Sequence, residues 1–187
     1  MNAKIRYLLL ANYLNLFAFA FFTPLFALFV TDLNPNPEFV GIAWGVAMYT
    51  AALMMLVFGR YEDRIKNKEK LIVAGYFLMA AGALSYLLVS DIKELFAVQL
   101  FNAIGLGMLT PAWRTVYANA EDRGKETKEW AFMEGGDRFF IATGAIIGGF
   151  ILKYYSFKAI FVDMALLQLV AGLVALRLLQ SRQLLDE

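Results

Sequence analysis

Residues 7–31 carry no charged side chain, and three more such runs follow at 39–59, 71–90 and 95–113. Each is about 20 residues long or more, the length of helix that crosses a hydrocarbon core of about 30 Å. A helix on the surface of a water-soluble domain keeps a broad polar face toward solvent, and these runs have none. They predict four membrane-spanning helices. Two further spans emerge once a few charges are admitted. Residues 139–152 are too short to cross alone, but a helix beginning near Trp130 reaches spanning length with Glu134, Asp137 and Arg138 inside it. Residues 159–176 span with Asp163 included. The pattern predicts an all-α integral membrane protein, one six-helix bundle over residues 1–187, with helices at roughly 6–31, 38–59, 70–90, 94–114, 130–153 and 158–179. Pro35 and Pro37 mark the turn between the first two.

The polar residues inside the spans fall on defined faces. At about 100° per residue, Asn12, Asn15, Phe19 and Thr23 lie within about 80° of one another on the first helix. Gln99, Asn102, Leu106 and Thr110 repeat those offsets on the fourth, and Trp113 extends the stripe. An unpaired amide in hydrocarbon costs several kcal/mol, so both faces are expected to look onto protein or a watery cavity. Either they bond between helices or they line a solute path. On the fifth helix Asp137, Ile141, Gly144 and Gly148 share a face, with Gly149 beside it. Gly144–Gly148 and Gly41–Gly45 are small-xxx-small pairs, which let helix backbones approach closely. Glu134 and Arg138 are spaced for an intrahelical pair. Intramembrane carboxylates carry a functional expectation, so Glu134, Asp137 and Asp163 are the candidates for proton coupling, Asp137 first.

Charge sets the expected topology. The segment before the first helix, the loops at 60–70 and 114–128 and the end of the sixth helix hold 13 Lys and Arg, against 3 on the opposite side. Both termini are therefore expected on the cytoplasmic side of the cell membrane. Sixty per cent hydrophobic residues fit a membrane bundle, and a net charge of +1 with no basic stripe gives no reason to expect nucleic acid. The first run is too long for a signal-peptide core, so no cleavable signal is expected. Cysteine and histidine are absent, which excludes thiol chemistry and His-based metal sites or proton relays. Nothing in the pattern suggests a metal, a cofactor or an enzyme's nucleophile–base set.

Three stretches resemble one family. Gly59-Arg-Tyr-Glu-Asp63-Arg64-Ile-Lys66-Asn-Lys68 lies between the second and third helices. It is similar to the loop motif G-x-L-a-D-R-x-G-R-K of the major facilitator superfamily, with Gly59, Asp63, Arg64 and Lys68 in register. Tyr61, Lys66 and Asn67 depart from it. Gly105-Leu-Gly107, Pro111 and Asp122-Arg123-Gly124 resemble that superfamily's helix 4–5 hairpin, although Phe101 stands where many members carry an arginine. Gly144-Ala-Ile-Ile-Gly148-Gly149 is similar to its G-P-x-x-G-G motif, with Ala145 for the proline. The resemblance covers nearly the whole chain.

The superfamily's usual members have two six-helix halves related by an axis along the membrane normal. The resemblance thus implies half of such a fold, of the N-terminal type, and a secondary transporter that works by alternating access as a parallel homodimer. Its solute would be a small polar or amphipathic organic molecule. The first and fourth helices would line the cavity. Helix 2 of one copy would pack on helix 5 of the other through Gly41, Gly45, Gly144, Gly148 and Gly149. Asp63 and Arg64 would then meet Glu134, Asp137 and Arg138 as a gate. Partners would be a second copy, membrane lipid, the solute and protons. The alternatives are a non-transporting membrane module that binds a partner or lipid, and one half of a heteromer with a different six-helix chain.

Overall fold

The structure is a computed structural model and describes residues 3–183. Residues 1–2 and 184–187 of the expected domain, and side chains from 180 onward, lie outside the described part. Among the described residues six helices are long and apolar enough to cross a membrane: Ala3–Leu33, Glu38–Glu62, Lys68–Leu88, Ile92–Ala120, Glu126–Tyr154 and Phe157–Leu179, called here the first to sixth spans. The fourth and fifth run further toward the Lys- and Arg-rich end (the basic end) than their charge-free runs suggest. Arg114, Glu126 and Lys128 are exposed on the flanks of these helices rather than in a loop. The connection shrinks to residues 121–125, where Gly124 takes φ +79°, a conformation that side-chain-bearing residues rarely adopt. The buried Tyr117 hydroxyl donates to the Glu129 carbonyl at 2.8 Å, and Glu129 Oε2 accepts from the Asp122 amide at 3.1 Å.

The first span is not continuous. Pro24 has no amide hydrogen and its ring displaces the carbonyl one turn back, so the α-helical ladder cannot pass through it. The backbone changes to three-residue bonds from Phe21 to Ala18, Phe22 to Phe19 and Leu25 to Phe22 before α-helix resumes at Phe26. At this far end, away from the basic one, Phe22, Phe29, Tyr86, Phe157 and Phe161 form a nest of rings. The Phe22–Phe161, Phe29–Phe157 and Tyr86–Phe161 centroids lie 5.1, 5.1 and 5.0 Å apart. Each such pair contributes about 0.5–1.5 kcal/mol beyond its buried area. At the basic end Lys4 Nζ meets Glu69 Oε1 at 2.7 Å and ties the first span to the third.

The spans are packed unequally. The first lies against the fifth and sixth, the third against the fourth and sixth, and the second against the fourth. The most apolar stretch of the second and of the fifth span is only 11% buried, against 44% in the other four. These two therefore flank the bundle and present most of their surface outward.

Glycines set the closest approaches, with one correction to the sequence reading. Gly144 and Gly148 are buried against the first span of the same chain. A Cβ at Gly144 would fall on the Phe17 carbonyl oxygen, and one at Gly148 would sit 2.5 Å from the Phe21 Cα. The expected role of this pair in joining two chains is thus overturned, because the space beside both glycines is filled by the chain's own backbone. Gly41, Gly45 and Gly149 have nothing within 4 Å of an added Cβ. The second span instead meets the fourth where Met54 backbone lies over Gly107, 2.8 Å from an added Cβ.

Candidate functional site

The two polar stripes come to lie on opposite walls of two recesses. Toward the basic end, a cleft of about 290 Å³ is lined by Asn12 and Asn15 from the first span and Thr110, Trp113 and Arg114 from the fourth. Glu134 and Asp137 from the fifth complete its wall. Toward the far end, a smaller recess of about 80 Å³ collects Phe19 and Thr23 from the first span and Gln99 and Asn102 from the fourth. Leu106 borders both. The change of neighbours along the first span divides, between Asn15 and Phe19, what the sequence presents as one stripe into a charged part and an aromatic part.

In the cleft, Asn12 Nδ2 donates to Asp137 Oδ1 at 2.7 Å, joining the first and fifth spans. A bond to a carboxylate is short and contributes about 1.5–3 kcal/mol. The glycines permit it: Gly136, Gly144 and Gly148 bring the fifth span close enough for Tyr13, over Gly136, to donate to the Phe132 carbonyl at 3.1 Å. Tyr13 also stacks on Phe140, with centroids 4.8 Å apart. Glu134 and Arg138 are paired at 3.5 Å and well exposed, so their pair adds little to stability. Arg114 is exposed at the rim, so the cleft offers a cation, a carboxylate held by an amide, and neutral donors and acceptors.

Between the recesses lies a residue the sequence reading passed over. Gln168 of the sixth span is 1% exposed, and its Nε2 donates to Asn15 Oδ1 at 3.3 Å. Asn15 faces the cleft and Gln168 the far recess, so this pair forms the wall between them. An amide in the middle of the sixth span was the available signal, because lipid gives it no partner.

The loop motif also looks different in three dimensions. Asp63 and Arg64 are exposed and Gly59 is half-buried, whereas Glu62, outside the motif's matched positions, is 2% exposed. Lys68 Nζ donates to the Glu62 carbonyl and closes the turn. Within one chain no ion pair joins Asp63 or Arg64 to Glu134, Asp137 or Arg138 among the described residues.

A six-span bundle with a charged cleft on one face and two thinly packed flanking helices defines a polytopic membrane protein. A model of the Major Facilitator Superfamily matches residues 8–185, and the chain belongs to that family of membrane transporters. Relatives differ in how much of them it covers. It is 22% identical over 161 residues to the uncharacterized MFS-type transporter YitZ of Bacillus subtilis, taking in 86% of this chain and 98% of that one. It is 23% identical over 148 residues to the riboflavin transporter RibZ of Clostridioides difficile, taking in 78% of this chain but 32% of RibZ. The fold is similar to that of the POT family transporter PepTSo, with a TM-score of 0.70 and 16% identity over 94% of this chain and 37% of that structure. The chain thus spans about a third of the length of RibZ and of PepTSo.

Proposed function

We propose that the chain is a secondary transporter that moves a small polar or amphipathic organic solute by alternating access, with a second copy in parallel orientation closing the path. The observation that carries this is the open cleft around Asn12, Asp137, Thr110 and Arg114. Lipid cannot cover such a face, since each unsatisfied polar group in hydrocarbon costs several kcal/mol. A second six-span unit facing it supplies the missing wall. In this reading the basic end and both termini face the cytoplasm of a cell membrane. That RibZ is named for riboflavin, an organic solute, agrees with the solute class.

The second and fifth spans are the contact between copies. With Gly144 and Gly148 occupied inside the chain, the contact runs over exposed residues such as Leu53, Leu56, Phe139 and Ile146. It brings Asp63 and Arg64 of one copy to the basic-end start of the other copy's fifth span, near Glu134 and Arg138. Asp63 is then favoured by the positive end of that helix, and breaking and remaking this cluster gates the path.

The test is uptake of a mixture of organic solutes into proteoliposomes, read by mass spectrometry against protein-free vesicles. At least one solute accumulates with the wild type, and Asp63→Asn slows that uptake by about tenfold or more, about 1.4 kcal/mol of coupling. Absence of uptake across the mixture favours a non-transporting module. Uptake unaltered by Asp63→Asn removes the gate.

A further inference from the structure

We infer that the far-end recess is a binding site for a neutral ligand with a compact apolar or aromatic body and a carboxamide-like head, held by Gln99. This deepens the transport reading by naming the chemistry of one end of the path. It rests on the first and fourth spans lining that path.

Several polar atoms of the recess already have partners. Thr23 Oγ1 is already used, donating to the Phe19 carbonyl at 2.9 Å. Asn102 Nδ2 donates to the Val98 carbonyl at 2.9 Å, and its Oδ1 packs over Gly82. Gln168 Nε2 is held by Asn15. Tyr86 and Trp44 also line the recess and bring a hydroxyl and an indole N–H. The polar atoms left fully buried and without a hydrogen-bond partner among the described residues are the amide nitrogen and oxygen of Gln99, 3% exposed, and Gln168 Oε1. Buried polar atoms are almost always paired, and an amide left unpaired on both atoms asks for an occupant that donates and accepts at once. A carboxamide does both.

The rest of the lining decides the ligand's charge and body. No charged side chain lines the recess among the described residues, so a carboxylate or ammonium head would lose its hydration with nothing to replace it. Phe26 and Trp44 meet edge to face at 5.6 Å beside it and offer ring surface. The charged groups belong to the other recess, beyond the Asn15–Gln168 wall. The far recess therefore selects a neutral head, and an ionised one is left to the cleft.

The test uses benzamide, with benzoate as its charged counterpart of the same ring, in equilibrium dialysis against the full chain in lipid nanodiscs. Saturable benzamide binding is expected, with benzoate at least about tenfold weaker. Gln99→Leu, similar in size and without the amide, is expected to weaken benzamide by about tenfold or more. Ala47→Cys puts a thiol in the recess of a chain that has no cysteine of its own. Benzamide is expected to slow its reaction with N-ethylmaleimide, and benzoate is not. This second readout keeps the test standing if Gln99→Leu lowers the yield of folded protein. No saturable benzamide binding, equal binding by Gln99→Leu, or benzoate binding as well as benzamide each overturns the assignment, leaving Gln99 to water. Uptake of solutes without benzamide binding sinks this site alone. Benzamide binding without uptake of any solute sinks the transport reading alone.

Discussion

Gly148→Leu leaves little folded protein in the membrane, whereas Gly149→Leu, one residue further, is nearly silent. At 148 a single added carbon already meets Phe21 backbone 2.5 Å away, and backbone cannot turn aside as a flexible side chain can. The two spans must separate, which loosens the Phe17 contact at Gly144 and pulls Asp137 from Asn12. Overpacking a tight interface costs about 1–3 kcal/mol and more where backbone must shift, a large share of a typical stability of about 5–15 kcal/mol. At 149 nothing lies within 4 Å of an added Cβ, so a leucine there meets lipid or a neighbour. Expression yield and the thermal midpoint in detergent distinguish the two. Equal behaviour of the variants would mean that the first and fifth spans are not joined as described.

The second large effect concerns Asp137. Asp137→Asn keeps an acceptor for Asn12 Nδ2 and preserves the packing around Tyr13 and Phe140, so the thermal midpoint changes little. It removes the carboxylate that the sequence marks as the first candidate for proton coupling. Uptake of the solute found in the proteoliposome screen is expected to fall at least about tenfold in the variant. The wild type is expected to vary in rate between about pH 5 and pH 8, and the variant's rate is expected to be flat over that range. With no histidine in the chain, carboxylates and the terminal amine are the groups left to titrate in that window. Asp137→Ala differs in kind, because the Asn12 donor is stranded at about 1–3 kcal/mol and stability falls as well. A wild-type rate that ignores pH, or an Asp137→Asn variant that transports normally, removes proton coupling through this residue.

What the chain shows by inspection is what depends on one helix at a time. The absence of charge in four runs and the shared offsets of Asn12, Asn15, Phe19 and Thr23 with Gln99, Asn102, Leu106 and Thr110 need only hydropathy and helical period. The structure places each of these eight beside a recess. The partner of a face is another matter. Gly144 and Gly148 announce a close approach, but nothing local distinguishes a neighbour in the same chain from one in a second copy. Only the fold turns them onto Phe17 and Phe21. The division of the stripe into a charged and an aromatic recess was equally hidden, since it depends on Gln168 arriving from the sixth span to meet Asn15. Glu62 escaped notice because its burial is set by the turn that Lys68 closes, not by hydropathy.

A second six-span copy is proposed to cover the polar cleft. The mass of the protein component of the purified particle, by light scattering corrected for detergent and repeated in lipid nanodiscs over a range of concentrations, addresses it directly. About twice the chain mass of 21.0 kDa is expected. A particle of one chain's mass at every concentration, in nanodiscs as in detergent, would contradict it.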